Sequence, residues 1–220
     1  MLGNPLDFVA YIGEHRAQFF NLLNQHIQLT AASVVLALAA AIPLAIIASR
    51  VAPVARPMTW IAAAGQTVPS LALFAVLIPV LGLGARPAIV ALALYSLLVI
   101  VRNTVVGLRT VDPAAVDAAR GMGMTAWERL VLVEIPLALP VILAGVRAAT
   151  VASIGVATIA AYIGAGGLGV LIFDGIRTLD PDPVIAGALL ASALALAADW
   201  ALLHVEGMLR RDVGTAGRAL

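Results

Sequence analysis

Residue types that could do chemistry are scarce in this sequence. Charged residues make up 11% of its 220 residues and cysteine is absent, so disulfides, thiol catalysis and thiolate metal sites are excluded. The His, Asp and Glu residues do not have the spacing of a metal site, and the sequence offers no supported serine–histidine–acid arrangement. We therefore predict a protein that is not an enzyme, has no catalytic residues and holds no metal.

One compact polar segment, residues 109–136, nevertheless interrupts the apolar sequence. Asp112 followed by Pro113 has the residue types of a helix N-cap and first helical position. The helix that follows is rich in alanine, so another surface can approach it closely. Gly121 and Gly123 would end it, because glycine can turn where other residues are strained.

A second helix is predicted within the same polar segment. Thr125 and Glu128 have the spacing of a capping box, which begins a helix, and Pro136 marks the entry into the next apolar run. The pattern therefore predicts two short helices set at an angle. An ordinary connecting loop is the alternative interpretation.

A glycine segment, residues 164–169, is the second constellation. Its GAGGLG sequence superficially resembles a phosphate-binding loop, but it follows an apolar run rather than a strand, and the chain has no lysine to contact phosphates. We interpret it as a bend or a close helix packing, where small residues let backbones approach. Irregular backbone at membrane depth is tolerated where protein covers it or where it lines a cavity, so Gly164, Gly166 and Gly167 are candidates to border such a cavity.

Arg147 is a charge inside an apolar run. It lies eleven residues after Pro136, which is roughly 16 Å along a helix and near the middle of a bilayer. An unpaired charge there costs about 2.5 to 3.5 kcal/mol. Two interpretations stay open: Arg147 lines a cavity or contacts another subunit, or it is held structurally by backbone carbonyls or Asp199.

The apolar runs that must position these residues have the length of membrane spans. Of the whole sequence, 62% is hydrophobic, and helices without a polar face exclude a buried soluble bundle. We predict an all-α integral membrane protein with about five transmembrane helices, near residues 27–49, 57–85, 87–101, 135–160 and 184–204.

Arginine placement predicts the orientation of these spans, because cytoplasmic loops carry an excess of positive charge. With the N-terminus outside and the C-terminus inside, nine arginines are cytoplasmic and three are external: Arg50, Arg56, Arg102, Arg109, Arg120, Arg129, Arg210, Arg211 and Arg218 against Arg16, Arg86 and Arg177. The predicted organisation is an external or interfacial segment (1–25), a transmembrane domain (26–206) and a cytoplasmic tail (207–220). The polar segment is then cytoplasmic, between spans three and four.

The polar segment resembles the EAA loop of type I ABC-importer permeases. The family pattern reads here as Asp117-Ala118-Ala119, then Gly123, then Val133-Glu134-Ile135-Pro136, with aspartate in place of the family's glutamate. The resemblance implies that the two short helices are coupling helices, which dock in a groove of a cytoplasmic ATPase subunit. The coupling residues that it implies are Asp117, Ala118, Ala119, Arg120, Gly123, Trp127 and Pro136.

A longer resemblance, over most of residues 66–176, is to the osmoprotectant permeases for glycine betaine, carnitine and choline. RNT at 102–104 and IGAGGLG at 163–169 are shared in part with methionine-type permeases, so another small solute is the alternative cargo. The resemblance implies the type I importer (MetI-like) permease fold in the inner membrane of a bacterium, surrounded by lipid.

The same resemblance implies partners. These are two ATPase subunits, which bind the ATP and Mg²⁺, a second permease chain that is identical or a sister, and an extracytoplasmic solute-binding protein. The chain itself would bind no cofactor, and no nucleic-acid partner is expected.

A translocation path would be lined by a few residues on different spans. The candidates are Phe74, Tyr95, Tyr162 and Arg147, together with the three glycines. A secondary carrier is disfavoured, because a proton relay needs intramembrane carboxylates and spans one to four contain none. His26 and His204 fall near span ends, which predicts solvated or interfacial histidines.

Overall fold

The computed structural model describes residues 7–216, and that part of the chain folds entirely into helices and short connections. The α-helices are α1 (Asp7–Glu14), α2 (Arg16–Arg50), α3 (Ala52–Gly65), α4 (Ser70–Leu81), α5 (Ala85–Arg109), α6 (Pro113–Gly121), α7 (Ala126–Arg129), α8 (Ile135–Ala160), α9 (Gly169–Thr178) and α10 (Pro181–Ala216). A π-helical turn, Leu130–Glu134, joins α7 to α8, and a 3₁₀ turn, Ala161–Ile163, follows α8.

Four described stretches are long and apolar enough to cross a membrane: Arg16–Arg50, Ala85–Arg109, Ala126–Ile163 and Pro181–Leu209. They correspond to predicted spans one, three, four and five, so the all-α membrane fold is confirmed. The region predicted as the second span differs, because it consists of two helices, α3 and α4, of 14 and 12 residues. Neither alone reaches the roughly 20 residues that a span needs.

The break between α3 and α4 has a local cause. Pro69 has no N–H to continue α3, and a proline also disfavours helical backbone at the residue before it, Val68. Pro69 instead has extended backbone, with φ −61° and ψ 132°, and stands immediately before α4. The sequence contained this signal, but hydropathy measures composition and not backbone continuity.

The first spanning helix also begins earlier than the sequence predicts. α2 starts at Arg16 and runs without interruption to Arg50, so the predicted boundary after residue 25 falls inside it. The extension is held by packing, since Phe19 and Leu22 are buried against Leu171 and Ala186 of α9 and α10. At the other end of the chain, α10 continues to Ala216, and residues 217–220 lie outside the described part.

A stripe of alanines lets three long helices approach closely. Every three or four residues α2 presents a small side chain to the core: Ala37, Ala41, Ala45 and Ala48. Opposite them lie buried residues of α5 and α8, among them Ile100, Val105 and Ala149. Small residues at such spacing are typical of helix packing in membranes. A buried hydrogen bond of 2.6 Å between Ser96 and Ser153 further ties α5 to α8.

Helix α8 positions both constellations found in the sequence. The polar segment ends in its first two residues, Ile135 and Pro136, and the glycine segment lies just beyond its last, Ala160. The two therefore lie at opposite ends of a 26-residue helix, about 39 Å apart along its axis.

Candidate functional site

The first helix of the polar segment is closed at both ends, as the sequence predicts. The Asp112 carboxylate accepts a 2.9 Å hydrogen bond from the Ala114 N–H at the N-terminus of α6. At the other end, the Met124 N–H donates to the Ala119 carbonyl and the Gly123 N–H to the Arg120 carbonyl. These two bonds form a Schellman motif, which needs a left-handed residue after the helix. Gly123 supplies it with φ +81°.

The second helix of the polar segment begins with the predicted capping box. The Glu128 N–H donates to the Thr125 hydroxyl at 3.2 Å, and the Thr125 N–H donates to the Glu128 carboxylate at 2.8 Å. Because its orphan donors are satisfied in this way, a helix of only four residues, α7, is held in place.

Apolar side chains on the polar segment face away from the protein. Trp127 is 70% exposed and Met122 is 71% exposed, although both would normally be covered. Met122 was not among the residues singled out in the sequence; its place at the turn between two capped helices was the available signal. The polar segment thus presents an aromatic and a flexible thioether side chain on a locally rigid support.

The predicted Asp117-Ala118-Ala119-Arg120 run shows two faces. Ala119 is buried, whereas Asp117, Ala118 and Arg120 are exposed. Asp117 and Arg120 form a 3.2 Å ion pair one turn apart, which contributes little to stability because water screens it. On its buried side α6 contacts the π-helical turn and α7, while the charges of Asp117 and Arg120 are exposed.

A buried carboxylate at the base of the polar segment was missed in the sequence. Glu134 accepts a 2.7 Å hydrogen bond from Arg50 Nη2, at the end of α2, and a 3.0 Å hydrogen bond from Arg129 Nε, at the end of α7. Its side chain is 8% exposed. An acid two residues before a proline, at the start of an apolar run, was the available signal.

The π-helical turn that carries Glu134 leads directly into Pro136. Proline lacks an N–H and its ring crowds the carbonyl four residues earlier, which favours a locally widened helix. Beside this turn lies a cavity of about 290 Å³, lined in part by Arg50, Arg109 and Asp117.

The glycine segment bends the chain, as predicted, at the other end of α8. Gly164, Gly166 and Gly167 all have left-handed backbone, with φ between 79° and 83°. Space is short as well: a Cβ on Gly166 would lie 2.3 Å from Gln25 Oε1, and one on Gly167 would lie 2.9 Å from His26 Nδ1.

Two side chains of α2 accept hydrogen bonds from the backbone of this bend. The Gly167 N–H donates to Gln25 Oε1 at 3.1 Å, and the Leu168 N–H donates to His26 Nδ1 at 3.2 Å. Since Nδ1 accepts, the proton is assigned to Nε2, which lies 3.0 Å from the Ile154 carbonyl of α8 and donates to it. His26 therefore bridges α2, α8 and the glycine segment.

The prediction of a solvated or interfacial His26 is wrong. This residue is fully buried, because it lies between Ile154 of α8 and the backbone of Gly167 and Leu168, and α2 continues ten residues beyond it. His204, by contrast, is exposed as predicted, and its ring lies 4.0 Å from that of Trp200.

The aromatic candidates for a translocation path lie in separate places. Phe74 is fully buried in a cluster with Leu29, Ala88 and Ile163. The Tyr95 hydroxyl donates to the Val68 carbonyl in the break before α4.

Tyr162 is 71% exposed at the glycine end of α8. Its ring centroid lies 5.7 Å from that of Phe173 on α9. No aromatic pair joins Phe74, Tyr95 and Tyr162 within residues 7–216, and their predicted role in a path stays a prediction.

Arg147 faces α10. Its Nε lies 3.1 Å from the carboxylate of Asp199, and its Nη1 lies 3.6 Å from that of Glu206. Pairing with Asp199 is the structural interpretation considered from the sequence, and Glu206 adds a second acid about two turns further along the same helix. Arg147 therefore ties α8 to α10, and its role in a path stays a prediction.

Comparisons with known proteins agree with this architecture. The family model described as "binding-protein-dependent transport system inner membrane component" matches residues 27–211. The carnitine transport permease protein OpuCB of Listeria monocytogenes is 46% identical over 182 residues, which is 83% of this chain and 84% of that protein. The osmoprotectant import permease protein OsmW of Salmonella typhimurium is 45% identical over 204 residues, 90% of this chain and 94% of that one.

A solved structure shows the same fold. A chain of the MetNI methionine ABC transporter, in an inward-facing conformation, superimposes with a TM-score of 0.82 and covers 89% of this chain and 98% of its own. The identity between the two is 18%, so the likeness concerns the arrangement of helices alone.

Proposed function

The chain belongs to the binding-protein-dependent transport system inner membrane components, and we propose that it is the permease through which an ATP-driven importer moves a small osmoprotectant such as glycine betaine, carnitine or choline. It is a membrane transport subunit rather than an enzyme. The substrate class is supported by the names of relatives that match over more than four fifths of this chain.

The polar segment is the proposed contact with the ATPase subunits. The observation that carries this proposal is a turn fixed by Gly123 and by caps on both of its helices, which leaves Trp127 and Met122 exposed. A force applied to such a segment passes into α8, because α7, the π-helical turn and α8 form one continuous helix, Ala126–Ile163. Asp117, Ala118, Arg120 and Pro136 complete the proposed coupling site.

The remaining partners and the orientation are part of the same proposal. Two ATPase subunits would bind and hydrolyse ATP with Mg²⁺, a second permease chain would complete the path, and an extracytoplasmic binding protein would deliver the solute. The arginine distribution places the polar segment on the cytoplasmic side of a bacterial inner membrane and the N-terminus outside. The glycine segment then lies toward the outer side.

Reconstitution tests this proposal. The permease, its ATPase subunit and its binding protein are placed in liposomes, and uptake of labelled glycine betaine, carnitine and choline is measured with ATP supplied on the ATPase side. We expect saturable uptake of at least one of them that stops when ATP is omitted. Methionine serves as the competing cargo, because the solved structure with the same fold belongs to a methionine transporter.

Two outcomes would contradict the proposal. Uptake of methionine but none of the three osmoprotectants would replace the substrate class and leave the permease function in place. Uptake driven by a proton gradient without the ATPase subunit would instead make the chain a secondary carrier.

A further inference from the structure

We propose that Glu134 and Arg50 form a tie that passes movement of the polar segment into α2, and through α2 to the glycine segment. This inference rests on the proposed function, because it assumes that an ATPase moves the polar segment. It concerns two residues that lie outside the coupling residues assigned so far, and it gives each of them a role in positioning the gate.

The first support is the geometry of the carboxylate. Glu134 uses one oxygen for Arg50 at 2.7 Å and the other for Arg129 at 3.0 Å. Charge-assisted hydrogen bonds of this length are strong and directional. Arg129 belongs to the same continuous helix as Glu134, whereas Arg50 is 84 residues away in sequence and ends α2. The bond to Arg50 is therefore the one that joins two separate helices.

The second support is the apolar packing around the tie. Ile42 and Ile46 of α2 pack against a buried cluster that includes Leu130 and Ile142. Apolar contacts of this kind are not directional and permit α2 to slide along α8. The ion pair between the buried Glu134 carboxylate and the part-exposed Arg50 guanidinium adds a directional contact that fixes the register of the two helices. A displacement at Glu134 then carries the end of α2 with it.

The third support is what α2 holds at its far end. α2 is one helix from Arg16 to Arg50, and His26 lies 24 residues, or roughly 36 Å, from Arg50 along it. There Gln25 and His26 bind the backbone of Gly167 and Leu168. α2 thus connects the base of the polar segment to the bend beyond α8, in parallel with α8 itself.

The π-helical turn is the point at which the helix can deform while the Glu134–Arg50 bond is kept. Such turns are rare in proteins, and those that occur are often found at functional sites. In this chain the turn spans Leu130–Glu134 and ends on the residue that holds Arg50. When α7 moves, the widened turn can deform while Glu134 stays bonded, so that α2 and α8 shift together.

The test compares variants of the three charged residues in reconstituted complexes, with solute taken up per ATP hydrolysed as the readout. Glu134→Gln keeps the shape of the side chain and removes its charge. We expect this ratio to fall at least tenfold while the ATPase subunits still co-purify. Arg50→Gln should reproduce the fall, and the double variant should fall no further, because both changes break one interaction.

Arg129→Gln is the matched control. It removes the partner within the continuous helix and leaves the connection to α2, so we expect at least half of the wild-type ratio to remain. Arg50→Lys keeps the charge and should recover at least threefold over Arg50→Gln. If Glu134→Gln prevents assembly, Arg50→Gln decides, since the Arg50 side chain is already 37% exposed.

Each outcome bears on the proposal. A wild-type ratio in Arg50→Gln overturns the tie, and so does an equal loss in Arg129→Gln and Arg50→Gln. If Gly123→Val uncouples the complex while Arg50→Gln does not, the tie is wrong and the coupling site stands. If Gly123→Val also keeps the wild-type ratio, the coupling site fails as well.

Discussion

At one end of α8, the polar segment satisfies its backbone with side chains two or three residues away, whereas at the other end the glycine segment depends on a helix 142 residues distant in sequence. Most of the polar segment is exposed, whereas residues 167–169 of the glycine segment are buried. The first can keep its own shape while it binds a partner. The second keeps its shape only while α2 and α8 stay in register.

The largest loss of stability should come from adding a side chain to a glycine of the glycine segment. Gly167→Ala forces a left-handed backbone on alanine, at about 1 to 2 kcal/mol, and places a Cβ 2.9 Å from His26 Nδ1. We expect a loss of about 3 kcal/mol in the free energy of unfolding, measured by denaturation in detergent. Gly155→Ala is the control, because nothing lies within 4 Å of its added Cβ, and it should be neutral or slightly stabilising. Equal stability of the two variants would contradict the crowded geometry.

The next effect should come from the side chain that holds the bend. His26→Ala removes the acceptor for the buried Leu168 N–H and the donor to Ile154. A buried group left without its partner costs about 1 to 3 kcal/mol, so we expect a loss of about 2 kcal/mol by the same measurement. His204→Ala, at the exposed histidine, should change stability by less than about 0.5 kcal/mol. A smaller loss at His26 than at His204 would refute the bridging role.

In the polar segment, a substitution should reduce transport more than it reduces stability. Gly123→Val strains a left-handed turn but has open space around it, so the protein should still insert and fold. Because the angle between α6 and α7 changes, we expect ATP-driven uptake to fall at least tenfold while ATP hydrolysis continues. Gly121→Ala, two residues earlier at the end of α6 and also in open space, should transport within about twofold of wild type. Wild-type uptake in Gly123→Val would remove the coupling role of this turn.

The smallest effect should come from the capping box. Thr125→Ala removes the acceptor for the Glu128 N–H and should cost about 1 kcal/mol at most, with a modest loss of uptake. Thr125→Ser keeps the hydroxyl and should restore both. If Thr125→Ala destabilises the protein more than His26→Ala, the polar segment does not depend less on the rest of the fold than the glycine segment does.

The same contrast explains what the sequence could predict. The Asp112 cap, the Gly123 turn and the Thr125–Glu128 box involve neighbours in sequence, and all three are present as expected. The glycine bend was predicted, but its partners Gln25 and His26 were not. Their position depends on how α2 packs against α8, which local sequence does not reveal.

Hydropathy misplaced two helix boundaries for a related reason. It found the spans from composition, yet it does not detect a backbone break such as the one before Pro69. It also ended the first span near His26, although an amphipathic extension, in which Phe19 and Leu22 are buried, continues the helix to Arg16. Glu134 was overlooked because an acid at the edge of an apolar run is normally solvated, and its two arginines come from helices whose packing was unknown.

The hydrogen bonds to Gln25 and His26 also imply an order of events during synthesis of the chain. Their partners follow 142 residues later, and ribosomes add roughly 5 to 20 residues per second. These two polar side chains therefore spend on the order of 7 to 28 s at the level of the membrane before Gly167 and Leu168 are synthesised. During synthesis these contacts can therefore form only after α8 and the chain that follows it have been made.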